Sequence, residues 1–534
     1  MAEVEKEICD GKCFLGIEFG STRIKALLID GGKNVVASGA FDWENTLLDG
    51  IWTYSLEEVQ NGLRAAYGDL KKNVKEKYNL TLSKIRALGI SAMMHGYMAF
   101  DEKDDLLVPF RTWRNTITAE ASGILSKLFD CPIPERWSVA HLYQAVLNGE
   151  DHVSKIAWIT TLAGYVHYKL TGEKVLGIGD ASGTFPLDYD DLNYDKKLIS
   201  IFNGLVAEKN IPWKLENLLP QVRLSGESGG SLTKEGALLL DPSGDLLPGS
   251  LMAPPEGDAG TGMVATNSVR ECTGNVSAGT SVFAMAVLQK PLEKTYNGII
   301  DIVSTPDGKV CAMVHANNCT GEYDKWINLF GQAASLLGAQ FDKNALYEKI
   351  LSCAKDGAKD GGGLIPFNYI SGESITSFAQ GRPLFVREEN AVFNLPNFMR
   401  AQLYTSLCAL RQGMDILFEK ENVCLECLTG HGGFFKTGQL GASIMAAAMH
   451  TPLTLMSTAG EGGPWGMALL ASYSWDCQNG AAEPLAKWLD EKVFSSSQVK
   501  TFAPQKDDVE GFNAFFEKYK RALAVERAAV ENVD

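Results

Sequence analysis

Gly20, Ser21 and Thr22 stand directly after a short apolar run that begins at Phe14, and Glu18 lies two residues before the glycine. A glycine there lets consecutive backbone N–H groups converge on one point, and two neighbouring hydroxyls add donors. That is the chemistry of a nest for phosphate oxygens. A carboxylate just ahead of the nest would hold Mg²⁺, directly or through water, and the ion would neutralise the phosphates. On its own the segment reads as an ordinary hairpin turn. The same residue types recur at Gly279, Thr280 and Ser281, and two such turns in a duplicated fold can clasp a nucleotide between two lobes.

Other segments offer different chemistry. Asp258 sits in Gly257-Asp258-Ala259-Gly260, after Pro254, Pro255 and Glu256. An acid flanked by glycines at a domain junction is placed to act as a general base, because backbone can approach it and a cleft can close over it; a plain Gly-Asp turn is the alternative. His95 follows Met93 and Met94 at the end of the strand-like run Ile85 to Ser91. The carboxyl ends of strands are where α/β proteins bind ligands, which favours a ligand contact over a buried structural histidine. Trp113-Arg114-Asn115 and Asp180 to Gly183 are weaker signals, compatible with structural stacking and with an Asx turn.

Gly430 to Gly433, followed by Lys436 and Thr437, lies between the strand-like Val423 to Leu428 and a helical run ending near Met449. Strand, glycine loop and helix together leave helix N–H groups free for anions. Phe435 occupies the place where a Walker P-loop requires glycine, and no G-x-G-x-x-G follows the first strand, which counts against a P-loop enzyme and a dehydrogenase. His141, His152, His167, His315 and His450 show no metal-ligand spacing. Cys424 and Cys427 form the one C-x-x-C; with no second pair, and inside an apolar run, it reads as buried strand rather than a zinc or redox site.

The elements that must position these residues show a repeated order. Phe14 to Glu18, Ile24 to Asp30 and Val35 to Phe41 read as three strands joined by tight turns, an antiparallel meander. Ser55 and Glu58 form a capping box; Leu56, Val59, Leu63, Ala66, Leu70 and Val74 follow on one helical face. Ile85 to Ser91 is a further strand. Past the middle, Gly274 to Ala278, Val282 to Leu288, Ile299 to Val303 and Val310 to His315 read as strands. Met399 to Leu417 reads as a long helix and Val423 to Leu428 as a strand. The two halves look like copies of one α/β unit, with the boundary near Ala265.

The 534-residue length predicts two to four domains, and 45% apolar residues give an ordinary globular core. A net charge of −16 repels phosphate backbones, so nucleic acid is not expected as a partner. No apolar run approaches the ~20 residues that span a bilayer, and the acidic N-terminus is not a signal peptide. Eleven scattered cysteines read as reduced thiols, which points to the cytoplasm.

Taken together, these residues make the chain resemble the FGGY family of carbohydrate kinases, within the actin/hexokinase/Hsp70 ATPase-like superfamily. The resemblance runs from about Phe14 to Tyr473 and is strongest to the family's xylulokinases. Met94-His95-Gly96 is similar to their sugar-contacting Met-His-Gly, and Asp180 to Thr184 to their Asp-Ala-Ser-Gly-Thr. Gly257-Asp258 resembles the family's catalytic Gly-Asp. Gly20-Ser21-Thr22 and Gly279-Thr280-Ser281 resemble its two phosphate motifs, and Gly432-Gly433 its adenosine motif. The chain departs from the pattern in carrying Glu18 for Asp, Ser21 for Thr, Arg114-Asn115 for Asn-Asp after Trp113, and Ala259 for the Asn after the catalytic acid.

The resemblance implies an α/β fold of two duplicated RNase H-like domains with an interdomain cleft, residues 1–265 carrying the sugar site and residues 266–534 the ATP site. It implies ATP-dependent phosphorylation of a sugar hydroxyl, the 5-OH of a ketopentose, with Asp258 as general base. Glu18 and Asp258 would serve Mg²⁺. Ser21, Thr22, Thr280 and nearby N–H groups would serve the phosphates, and Met94, His95 and Trp113 the sugar. Sugar and ATP are the expected partners, without nucleic acid or membrane; a homodimer is left open. Three alternatives stay open: a kinase of another ketose or polyol (ribulose, rhamnulose, fuculose, glycerol or erythritol type), a non-kinase ATPase of the actin or Hsp70 sort, and a non-catalytic sugar-sensing relative. An Hsp70 would need a peptide-binding extension, whereas the sequence closes on one amphipathic helix, Phe512 to Val530.

Overall fold

The structure is a computed structural model and describes residues 2–209, 211–456, 462–480, 483–495 and 499–533. It divides into two compact α/β units. One comprises Met1–Val269, Ile302–Cys311 and Glu461–Ser496; the other comprises Arg270–Asp301, Ala312–Gly460 and Ser497–Asp534. The units are therefore not two uninterrupted halves meeting at residue 265, because later segments of the chain return to the first.

The first unit is built on β1 (Phe14–Phe19), β2 (Arg23–Ile29) and β3 (Val35–Asp42), the antiparallel meander expected from the tight turns. Helix α1 (Leu56–Tyr78) starts at the anticipated capping box, with the Ser55 hydroxyl accepting from Glu58 N–H and the Glu58 carboxylate accepting from Ser55 N–H. β4 (Ala87–Ala92) then pairs in parallel with β1. The short strands β5 (Leu251–Met252) and β6 (Glu256–Gly257) both pair in parallel with β4, giving the order β5-β4-β1-β2-β3. The chain continues into helix α2 (Asp258–Ala265).

Each face of this sheet is covered, as an α/β sheet requires. Gly39 lets α1 close on one face, where a Cβ would lie 2.1 Å from Leu70 N. Gly16 lets helix Gly462–Gln478 close on the other, where a Cβ would lie 2.0 Å from the Pro464 carbonyl. These contacts explain why a late segment belongs to the first unit: its helix replaces solvent over β1 and β4.

The second unit repeats the plan. β7 (Thr273–Ala278) and β8 (Val282–Val287) form a hairpin; β9 (Ile300–Ser304) and β10 (Val310–Ala316) follow, with Ile302–Ser304 and Val310–Cys311 of these strands grouped with the first unit. The buried helix α3 (Leu395–Asp415) leads to β11 (Cys427–His431), which is parallel to β7. Then come α4 (Gln439–Met449), β12 (Leu453–Met456), β13 (Val499–Phe502) and α5 (Lys506–Asn532). The seven-stranded order is β9-β10-β8-β7-β11-β12-β13.

Three local expectations shift. The strand expected at Val423 to Leu428 runs instead over Cys427–His431, because its register is set by pairing from Thr273↔Cys427 to Ser277↔His431. Cys424 is consequently exposed and outside the strand, and Gly430 is a strand residue rather than part of the glycine loop. The terminal helix begins at Lys506, six residues before Phe512. Asp180 to Gly183 is not an Asx turn; residues Ile178–Ala181 make one helical turn. All eleven cysteines are free thiols, and among the described residues no helix is long and apolar enough to cross a membrane.

Candidate active site

The carboxyl ends of β1, β4 and β6 bring the first unit's expected site residues together. Glu18 pairs in register with Ser91, and Ser91 with Glu256, so three adjacent parallel strands end at one level. Beyond that level the chain supplies Met94 and His95 after β4 and Asp258 after β6. The Met94 backbone N–H donates to Asp258 Oδ1 at 3.2 Å. Side chains at such an edge project past the sheet instead of into its core, the usual place for ligand chemistry in α/β folds.

Asp258 keeps a solvent-accessible edge although protein atoms crowd it. That crowding raises its pKa to about 6, against the opposing pull of the Met94 and Ala259 N–H groups. Glu18 is half-buried, and burial followed by the nearby Asp258 charge raises its carboxyl to about 7. Part of what buries it is the first turn of helix Gly462–Gln478: a Cβ at Gly463 would lie 2.0 Å from Glu18 Oε1. Two acids that resist ionising together provide the hard oxygen donors a divalent cation accepts.

Two further carboxyls lie behind this pair. Glu256 is buried and accepts from Asp180 N at 3.1 Å and Gly179 N at 3.3 Å; burial and the Asp180 charge raise it to about 8. Asp180 Oδ2 accepts the Thr161 hydroxyl at 2.5 Å, while Oδ1 has no hydrogen-bond partner among the described residues. Burial raises Asp180 to about 7. Glu256 and Thr161 carried no sequence signal of a site. Glu256 becomes meaningful only once β6 sets it against the turn at 178–181, and Thr161 once it is seen to cap helix Leu162–Thr171 beside that turn.

His95 and Gly96 have φ of 70° and 98°, a left-handed pair that turns the chain sharply away from β4. His95 is buried, and desolvation holds its pKa well below the usual imidazole range. Met94 is also buried and packs against Gly257.

The hairpin at Gly20 to Thr22 is held from below. Trp43 Nε1 donates to the Gly20 carbonyl at 2.7 Å and the Tyr54 hydroxyl to the Ser21 carbonyl at 2.6 Å, with the two rings stacked at 4.0 Å. Glu18, Gly20, Thr22 and Lys25 line one cavity of about 770 Å³. Trp113 is 40% exposed, and its Nε1 donates to Ser21 Oγ at 3.3 Å, which joins the expected sugar residue to the hairpin. Arg114 is committed elsewhere: its guanidinium lies 4.1 Å from the Trp52 ring and donates to Asn45. Asn115 braces the Trp52 backbone through both its amide atoms.

The second unit assembles its expected residues in the same way. Gly279, Thr280 and Ser281 cap the β7–β8 hairpin, with Gly279 N donating to the Ser281 carbonyl at 2.8 Å. Cys319 and Thr320 N–H groups take up the Thr280 and Gly279 carbonyls. Gly432 leaves the parallel neighbour β11 with φ 103°, and a Cβ there would sit 2.5 Å from the Ala278 carbonyl. The space beside Gly433 is open. A parallel strand pair thus ends in a hydroxyl-bearing hairpin on one side and a glycine turn on the other.

Comparison with known proteins agrees with this architecture. The N-terminal domain model of the FGGY family of carbohydrate kinases matches residues 13–241, and the C-terminal domain model matches residues 274–475. The xylulose kinase of Haemophilus influenzae is 22% identical over 530 residues, covering 96% of this chain and 99% of that protein. Among solved structures, a xyloylose kinase from Brucella ovis superposes with TM-score 0.76 at 19% identity, covering 97% and 99% of the two chains. A gluconate kinase from Lactobacillus acidophilus superposes with TM-score 0.77 at 17% identity, covering 96% and 98%. With both family domains matched in order along most of its length, the chain belongs to the FGGY family of carbohydrate kinases.

Proposed function

We propose that this ATP-dependent sugar or polyol kinase phosphorylates a hydroxyl of a ketopentose of the xylulose type, with Asp258 as general base. The observation that carries the reading is the Asp258 carboxylate itself: accessible, raised in basicity, and fixed by Met94 N–H at the end of the strand set that also presents Glu18 and His95.

Catalysis of phosphoryl transfer is mostly positioning and charge stabilisation. Asp258 accepts the proton of the substrate hydroxyl as that oxygen attacks the γ-phosphorus of ATP and the bond to ADP breaks. Its raised pKa makes it a better proton acceptor than an ordinary carboxylate while leaving it ionised near neutrality. Met94, His95 and Trp113 hold the sugar through apolar surface plus directed hydrogen bonds. Gly20, Ser21 and Thr22 in one unit, and Gly279, Thr280 and Ser281 in the other, are the proposed phosphate loops; Gly432 and Gly433 are the proposed adenosine turn. Glu18 and Asp258 would hold Mg²⁺, whose chemistry is to neutralise phosphate charge. The elevation of Glu18, by burial and then by the Asp258 charge, is the misfit that such a cation would relieve.

A coupled ADP-release assay across xylulose, ribulose, other ketoses, gluconate, glycerol and erythritol tests the reading. Strongest turnover on a ketopentose is the expected result. Strongest turnover on gluconate or a simple polyol would replace the ketopentose, and ADP release unaffected by any acceptor would remove the kinase assignment.

A further inference from the structure

The turn that carries Asp180 also reaches His95. His95 Nδ1 lies 3.4 Å from the Gly183 carbonyl oxygen, within hydrogen-bond geometry. A carbonyl can only accept, so the proton of that bond belongs to Nδ1. Nε2 has no hydrogen-bond partner among the described residues. We propose that the Gly183 carbonyl fixes His95 in its Nδ1–H tautomer, so that Nε2 is presented as an acceptor and the site selects a substrate bearing a hydroxyl at that position. This rests on the reading of Met94 and His95 as sugar contacts.

The turn is built to hold that carbonyl still. Gly183 N donates to the Asp180 carbonyl at 3.1 Å, and Ser182 Oγ donates to the Gly179 carbonyl at 2.6 Å. Glu256 accepts from the N–H groups of Gly179 and Asp180, which ties the same turn to β6. Gly183 must lack a side chain, because a Cβ there would lie 2.4 Å from His95 Nδ1 and 3.3 Å from Met94 Cε. Trp137 lies nearly parallel to the imidazole at 6.3 Å, so the ring plane is confined as well. Burial of the imidazole keeps it uncharged, which leaves one nitrogen for the proton and one for the lone pair. Gly183 is thus a positioning residue acting through His95. The consequence is a preference for an O–H donor over an ether or a C–F group, since neither of those can donate to Nε2.

Two measurements decide it. Long-range ¹H–¹⁵N correlation spectra of histidine-labelled full-length protein, with His95 assigned from the H95N variant, should show a protonated Nδ1 and a bare Nε2 without substrate. An Nε2–H tautomer or an imidazolium at neutral pH overturns the proposal. With the best acceptor from the ADP-release panel, deoxygenation at one carbon should lower kcat/KM roughly 10- to 100-fold. Fluorine at that carbon should restore none of the loss; recovery by fluorine overturns the proposal. Gly183→Ala should change the His95 signature and raise the sugar KM while the ATP KM stays within about two-fold; an unchanged signature and sugar KM would count against it. Because the tautomer is read in ligand-free protein, a panel with no sugar-dependent turnover would remove the kinase assignment and still leave the tautomer measured.

Discussion

The backbone N–H of Met94 donates to Asp258 Oδ1 at 3.2 Å, so the strand end that offers His95 also orients the acid that follows β6. One hydrogen bond couples the proposed sugar side of the site to the proposed base. Asp258→Asn preserves the shape and the contact but removes the proton acceptor. It should lower kcat by about 10²–10⁴, the span that general-base catalysis supplies, and leave ATP affinity within about two-fold. Steady-state ADP release alongside nucleotide titration separates these quantities, and wild-type turnover would take Asp258 out of the mechanism.

Activity and stability should depend on pH in opposite directions. Asp258 must be ionised to accept a proton, so kcat/KM should fall as pH drops. Its water-accessible edge opposes the crowding that lifts it to about 6, which places that limb at or below about 6. Asp180 and Glu256 are buried, with carboxyls raised to about 7 and about 8. In the native state they keep protons that the unfolded chain has released, so their stabilising contribution is complete below the ordinary carboxylate range and is lost as pH rises through 7 and 8. The thermal midpoint of the ligand-free protein should therefore decline between pH 5 and pH 8, and Glu256→Gln should flatten the decline. A midpoint that climbs over this range would contradict the elevated carboxyls.

Thr161 caps its helix by accepting from Gly164 N–H and donates its hydroxyl to Asp180 Oδ2 at 2.5 Å. Thr161→Val keeps the volume and removes both bonds, leaving Asp180 with no partner on either oxygen. An unsatisfied buried acceptor costs about 1–3 kcal/mol, and loss of a cap adds about 1 kcal/mol. Denaturant unfolding should show a loss in this range, with Thr161→Ser recovering most of it. Equal stability of the Val variant would mean that the hydroxyl bonds contribute nothing.

How much of this was legible beforehand follows from how local each signal is. The meander at Phe14 to Asp42 and the capping box at Ser55 depend on neighbours in sequence, and the structure places them as read. The repeat of Gly20-Ser21-Thr22 as Gly279-Thr280-Ser281 reports a duplicated unit, and both lie at β-hairpins beside a parallel strand. The strand at Cys427 was misplaced because register is set by Thr273, some 150 residues away in sequence, and not by the apolar run itself. Glu256 and Thr161 were invisible for the same reason: each acquires its partner from a segment about twenty to eighty residues off. The return of helix Gly462–Gln478 to the first sheet is a packing decision made by Gly16, where a Cβ would meet the Pro464 carbonyl, and no periodicity in the helix encodes it.

Adjacent glycines in the second unit separate a structural requirement from a ligand requirement. At Gly432 the backbone is left-handed and the Ala278 carbonyl stands 2.5 Å from where a Cβ would be, so Gly432→Ala strains the turn and should lower stability together with nucleotide affinity. At Gly433 the added methyl meets nothing within 4 Å and φ is not in the left-handed region, so Gly433→Ala should melt within about a degree or two of wild type. If this turn receives the adenosine, that methyl occupies space the nucleotide needs, and the ATP dissociation constant should rise roughly ten-fold with stability untouched. Calorimetric ATP titration paired with thermal melts reads both effects. Unchanged ATP binding in Gly433→Ala would move the adenosine site away from this turn.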